Sequence, residues 1–240
     1  MSREYKLTGF VIKSQDLGEA DLLLTFFSLS EGKIRAVVKS AKKLTSRLAG
    51  RIQPAAEIEI NLAGNNSLPK LIGAQVMNAY SSVLDFEDSM ATLVAMQEFV
   101  NRSLPDGQPN EQLFEIYRSS LIELAKHSEL SGLILARFFA QGLSALGFAP
   151  MELDKNSELE SEIYFSKQEG RFSKNSISTD DVKISPELHK LYIHLLSGDS
   201  FNEAIELGLQ KQILFFLNNF ISYQLERPLH GAQYFFSQKP

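Results

Sequence analysis

Seven side chains that can grip a polyanion stand close together in this sequence: Lys33, Arg35, Lys39, Lys42, Lys43, Arg47 and Arg51 lie between Gly32 and Glu57, with no Asp or Glu among them. Like charges at this density repel one another, and the natural partner is a polyanion that sheds condensed counterions as it binds. Lys39, Lys43, Arg47 and Arg51 recur every four residues. That spacing keeps them on one side of an extended strand and drifts by only about 40° per step in a helix, so either conformation predicts a one-sided positive stripe. A solvated loop, or a gatekeeper beside a strand, has the same composition. The fold that carries the run therefore decides between the two.

Other chemistry finds little support. The sequence contains no GxxxxGK[ST], GxGxxG, HExxH or GxSxG segment, so neither a nucleotide cradle nor a metalloprotease or hydrolase signature is present. It has no Cys, which removes thiolate zinc, iron–sulfur clusters, disulfides and thiol nucleophiles together and suits a reducing compartment. His127, His189, His194 and His230 are scattered; His189 and His194 are about 140° apart on a helix and do not share a face, so surface or capping roles are expected. Asp85, Glu87 and Asp88 cluster just before a helical segment, where acids meet the positive end of the dipole. No catalytic residues are assigned and no enzyme is expected.

Two periodicities organise the chain. Residues 1–80 read as short strands at Lys6–Lys13, Asp21–Phe27, Lys33–Lys39, Ala56–Leu62 and Lys70–Met77, separated by turn signals at Asp16–Gly18, Ser30–Gly32 and Gly64–Pro69. Five strands in so short a stretch predict a small closed barrel, for which the OB fold is the common solution that also binds nucleic acid. Beyond Tyr80 the period lengthens to near 3.6. One stripe is Met90, Leu93, Val94 and Val100; a second is Leu113, Ile116, Tyr117, Leu121 and Leu124; a third is Leu135, Phe138, Phe139, Gly142, Leu143 and Leu146. All three are expected to face a core. Asn110 and Ser131 are read as N-caps, Gly147 as a helix end, and Ser185-Pro186 as the start of a fourth helix burying Leu188, Leu191, Tyr192 and Leu195. A last helix buries Ile213, Leu217, Phe220, Ile221 and Leu225. The polar stretch 148–184 interrupts this rhythm, with a small hairpin expected from Glu162–Phe165 and Gly170–Ser173. The fold class read from the sequence is thus α+β: an N-terminal five-stranded OB-fold barrel over 1–80, then a helical domain over 81–240 with a small hairpin-bearing insertion.

Charge follows the same division. The net −5 argues against a general nucleic-acid coat, but 1–80 holds 11 basic and 7 acidic residues, whereas 81–240 holds 13 and 22. Such asymmetry suggests an anion-binding module joined to one with a different task. With 44% apolar residues a sizeable core can form. No signal-type or membrane-spanning apolar run is read, which leads to the expectation of a cytoplasmic protein with no membrane partner.

The aromatic inventory bears on how a nucleic acid would be held. Residues 1–80 contain no Trp and only Tyr5, Phe10, Phe26, Phe27 and Tyr80, several at positions the barrel core needs. Base stacking should then be a minor term, with phosphates carrying the binding and base edges left free to pair. A surface of this kind could hold two complementary strands together and assist their annealing.

The order of blocks Gly9-Phe10-Val11-Ile12, Asp16-Leu17-Gly18-Glu19-Ala20-Asp21, Ser30-Glu31-Gly32-Lys33, Val38-Lys39-Ser40-Ala41-Lys42-Lys43 and Ser46-Arg47-Leu48-Ala49-Gly50-Arg51-Ile52-Gln53-Pro54 resembles the opening of the RecO recombination-mediator family. The likeness continues through Ala136-Arg137-Phe138 and Leu146-Gly147-Phe148-Ala149-Pro150 to Glu226-Arg227-Pro228-Leu229. It implies an N-terminal OB fold, a C-terminal helical domain, and a non-enzymatic role in bacterial recombinational repair. That role comprises binding single- and double-stranded DNA, annealing complementary strands, and acting with RecR to load RecA on DNA coated by single-stranded-DNA-binding protein, in the cytoplasm at the nucleoid. The family's basic surface carries over onto Lys39, Lys42, Lys43, Arg47 and Arg51, with Lys33 and Arg35 as neighbours.

One departure is plain. Many members bind zinc through two cysteine pairs, and the matching stretch from Leu153 to Asn175 has none, so no metal and no cofactor are expected and packing must order that segment. The acidic helical domain should repel DNA and is read as a protein-recognition module. The resemblance implies that it contacts the acidic, apolar tail of the single-strand-binding protein, and Arg118, Arg137, Phe138 and Gln141 are the candidates. Two rival readings stand beside this one: an OB-fold protein acting on structured RNA, and a scaffold whose basic run docks an acidic protein.

Overall fold

A computed structural model describes residues 4–42, 48–64, 68–151, 162–176, 178–199, 201 and 205–237. Five strands open the chain: β1 (Glu4–Leu17), β2 (Asp21–Ser28), β3 (Gly32–Val38), β4 (Ala56–Ala63) and β5 (Lys70–Ala79). They close in the order β1-β2-β3-β5-β4, with β4 returning to β1. All neighbours are antiparallel except β3 and β5, which meet in parallel at Val37 and Lys70. This is the five-stranded OB arrangement expected, and the strand boundaries differ from the sequence reading mainly in that β1 runs on to Leu17. Alternation explains β4, where Ala56, Ile58, Ile60 and Leu62 point inward. With Leu7, Val11, Leu24, Phe26, Val38 and Leu71 they fill the barrel.

Two helices, α1 (Glu87–Ser103) and α2 (Glu111–Lys126), belong to the same compact unit, which spans Met1–Glu129. Phe10 and Phe27 show why. They are fully buried yet lie outside the barrel's inner cluster. Their rings pack on Phe114 and Tyr117 of α2 at centroid distances of 5.0–6.1 Å. Strand gives way to helix at Tyr80 as the period predicts, but the hydrophobic grouping continues to the end of α2. Asn110 caps α2, its side-chain oxygen accepting from the Leu113 N–H at 2.8 Å.

The stripe predicted on α1 requires correction. Met90 and Val94 are exposed, at 39% and 55%, and the buried face is Ser89, Thr92, Leu93, Ala95, Met96, Phe99 and Val100. Leu93 and Val100 of the expected stripe are buried, but their face is shared with Ser89, Thr92 and Ala95, while Met90 and Val94 lie off it, so a count of large apolar residues tilts the stripe away from the packed face.

The second compact unit, Leu130–Pro240, is built from α3 (Ser131–Ala145), α4 (Pro186–Ser197), α5 (Leu207–Gln224), the short α6 (Gln233–Ser237) and a three-stranded sheet. The sheet consists of β6 (Ile163–Ser166), β7 (Arg171–Ser173) and β8 (Val182–Ile184) in the order β7-β6-β8. The predicted hairpin is β6–β7; β8, only three residues long, carries no periodic signal of its own. Ser185 caps α4 with Pro186 in the first turn, its hydroxyl accepting from Leu188 N–H at 3.2 Å. Ser131 is instead the first residue of α3, and the cap position is Leu130. His189, expected at a surface or a cap, is buried with its ring edge-on to Phe172 at 4.7 Å. The sheet rests on aromatic rings: Phe165 meets Phe172, Phe216 and Phe220 at 4.9–5.0 Å, and Phe172 meets Tyr192 at 5.4 Å. A four-thiolate zinc site cannot be assembled from a chain with no Cys, and among the described residues no group of three His, Cys, Asp or Glu is placed to hold a metal. Among the same residues no helix is long and apolar enough to cross a membrane.

Candidate nucleic-acid interface

The basic run leaves β3 at Val38 and re-enters the described structure at Leu48, one turn of 3-10 helix following at Ala49–Arg51. Lys43 and Arg47 lie outside the described residues. The parts that are described form a turn and a 3-10 turn, so the recurrence every four residues has no single strand or helix beneath it there. Apolar anchors hold the segment to the barrel: Ala41 is buried in its cluster, and Leu48 and Ile52 pack against it.

Each described cation has a definite neighbour. Lys33 is almost wholly enclosed, its ammonium donating to the Asn101 carbonyl at 2.7 Å and lying 3.4 Å from Asp106. Its side chain is 11% exposed, so it serves as an internal clamp and is withdrawn from the surface where a phosphate would pass. Beside it, Gly32 has φ +64°, and a Cβ there would stand 2.0 Å from the Gln108 carbonyl oxygen. The connection after α1 thus runs tightly across the start of β3.

The remaining cations stay at the surface. Arg35 Nε is 3.0 Å from Asp106, Lys39 Nζ 2.6 Å from Asp21, and Lys42 Nζ 2.7 Å from Asp16; the cationic side chains are 55%, 59% and 30% exposed. Arg51 donates to the Ala74 carbonyl at 3.0 Å. Asp21 also accepts the Ser40 N–H at 2.8 Å. The Lys39 ammonium, then this amide, hold its carboxyl below the ordinary aspartate value. The run has no acid within it in sequence, but the fold brings Asp16, Asp21 and Asp106 to it. Sequence reasoning missed these three, because acids distant along the chain leave no local trace.

Surface ion pairs are weak, typically about 0–1 kcal/mol. Arg35, Lys39 and Lys42 can exchange a carboxylate for a phosphate at little cost, whereas Lys33 cannot. Arg35, Lys39 and Lys42 are thus each held, and partly neutralised, by a carboxylate from elsewhere in the first unit.

The helical candidates divide between the two units. Arg118 lies in the first, where it bonds to buried Glu57 and to Glu115 and stacks over Phe114 at 4.9 Å; Asn78 donates to the second oxygen of Glu57. It fastens α2 to β4. Arg137 lies in the second, its guanidinium over the Phe201 ring at 4.9 Å and donating to the Asp199 carbonyl at 3.3 Å. Gln141, one turn on, reaches toward Gly198. Phe138 is fully buried against Phe139 and is core, not groove lining.

Comparison with known families resolves what this architecture is. Residues 1–80 match the model described as "Recombination protein O N terminal", and residues 88–232 match "Recombination protein O C terminal". The chain belongs to the RecO family. Among similar proteins, the DNA repair protein RecO of Desulforamulus reducens is 26% identical over 96% of this chain and 93% of its own length. The DNA repair protein RecO of Thermobifida fusca is 30% identical over 61% of each chain, and that of Nostoc punctiforme 32% identical over 56% of this chain and 45% of its own. The matches to the RecO family reach into both units, the barrel unit and the helical unit alike.

Proposed function

We propose that this RecO-family protein is a recombination mediator in DNA repair that works by binding, not by catalysis. It holds single- and double-stranded DNA on the barrel mainly through phosphates, anneals complementary strands, and acts with RecR to help load RecA on DNA covered by single-stranded-DNA-binding protein. The observation that carries this reading is the match of both RecO halves to a chain whose barrel displays Arg35, Lys39, Lys42 and Arg51 at its surface. Lys43 and Arg47 belong to the same run and are assigned to the same task.

The direct test is charge reversal of Lys39, Lys43 and Arg47 together, with strand binding and annealing followed across a salt series. The wild-type affinity should fall steeply with salt, and the variant should lose both affinity and part of that slope. Binding that ignores salt, or annealing that survives the triple reversal, sinks the reading; a preference for structured RNA with no annealing would point to the RNA-binding alternative.

In the helical unit, Arg137, which meets Asp199 and Phe201, and Gln141 are proposed to receive the acidic tail of the single-strand-binding protein, a guanidinium already stacked on an aromatic ring being suited to a carboxylate. Arg137→Ala should weaken binding of a tail peptide about tenfold, the scale of one lost charge-assisted contact. Unchanged affinity removes this assignment without touching the barrel.

A further inference from the structure

β1 is paired on both sides for only part of its length. Its β2 edge is occupied from Gly9 to Leu17, while its β4 edge is occupied only from Glu4 to Phe10. From Val11 onward the β4-side edge has no strand opposite it among the described residues. The gap is spanned by a side chain of α1, Gln97, whose amide donates to the Val11 carbonyl at 3.2 Å and the Pro54 carbonyl at 3.4 Å.

The ladder to β2 slips at the same place, between Val11 and Lys13. Such a bulge lets two successive residues point to the same side of the ladder or be re-aimed. Here Val11 belongs to the barrel's inner cluster and Ile12, equally buried, lies outside it; both border an open notch of about 210 Å³, as does Gln97. Leu22 and Ile52 complete its apolar floor, with Lys13, Ser14 and Pro54 exposed at its lip. Ile52 directly follows Arg51, so the notch adjoins the end of the basic run.

We infer that this notch takes in one unstacked nucleobase of a single strand whose phosphates lie on Lys13 and the neighbouring cations. The inference rests on the DNA-binding reading above and adds to it a means of telling single strands from duplex. An apolar floor at an open strand edge favours a planar apolar face without choosing among the four bases, and the adjacent lysine places a phosphate at its mouth. A base already stacked and paired cannot enter without first leaving its partner, so duplex would be held by phosphates alone. Annealing then becomes directional, because each base that pairs gives up its place in the notch.

The test compares a dT oligonucleotide with an abasic oligonucleotide of the same length and charge, using the full chain at fixed moderate salt. The wild-type protein should bind the dT strand roughly tenfold more tightly. Ser14→Leu, which fills the notch from its exposed lip without adding an aromatic ring, should erase that preference while leaving abasic affinity unchanged. Pro54→Leu, filling from a second exposed position of the lip, should do the same, so the result does not hang on one variant folding. Equal wild-type affinity for the two strands overturns the base notch and leaves phosphate-led binding intact, and so does a uniform loss on both strands in the variants. Failure to bind either strand overturns both readings.

Discussion

At Lys39 the protein sets one favourable contact against another. The ammonium is held by Asp21, and the same carboxylate fixes the turn through the Ser40 amide. Removing the acid's charge should release the cation and lift local repulsion toward phosphate. Asp21→Asn is therefore expected to bind single-stranded DNA a few-fold more tightly at neutral pH, since an exposed pair holds its cation only weakly. A fluorescence anisotropy titration measures this, and weaker binding would mean that Asp21 positions Lys39 productively. Acid should act in the same direction. The folded-state pKa of Asp21 lies below its ordinary value, so its stabilising contribution is complete above that ordinary value and is lost as the pH falls through the lowered one. The turn should then loosen only in strong acid, and the Asn variant should lack that transition. At this scale the sequence was half legible: the cations could be read off as a run, but their acids come from β1, β2 and the connection after α1, and only the barrel's closure reveals that they meet.

Among the elements, the strands were the most readable, since half-buried alternation and turn residues leave a direct imprint. β8 escaped because three residues cannot establish a period. α1 misled because its packed face accepts Ser89, Thr92 and Ala95, small enough for close approach, while Met90 and Val94 face outward. In the sheet of the second unit, aromatic rings from the strands, α4 and α5 meet, and no local pattern in the sequence announces that meeting. Phe172 touches Phe165, Tyr192, Phe216 and His189 at once. Phe172→Ala should cost about 3–5 kcal/mol and be visible as a lowered unfolding midpoint. A cost below about 1 kcal/mol would show that the cluster is not what holds the three strands.

For the whole molecule, the boundary of cooperative structure matters more than the boundary of strand and helix. A fragment of residues 1–80 contains every strand of the barrel yet leaves Phe10 and Phe27 without the Phe114 and Tyr117 rings that cover them. Residues 1–129 should give a sharp unfolding transition in urea, whereas residues 1–80 should unfold broadly or aggregate, as uncovered aromatic surface demands. Equal sharpness for both would show that α1 and α2 are dispensable to the barrel.

The tight crossing at Gly32 carries a kinetic consequence. Because Lys33 reaches the last turn of α1 while its own carbonyl accepts the Gly107 amide, β3 is buttoned to a segment some seventy positions further along. Peeling that strand away means undoing the button first, so its backbone amides should exchange with solvent only when the helix end opens too, as one event in time.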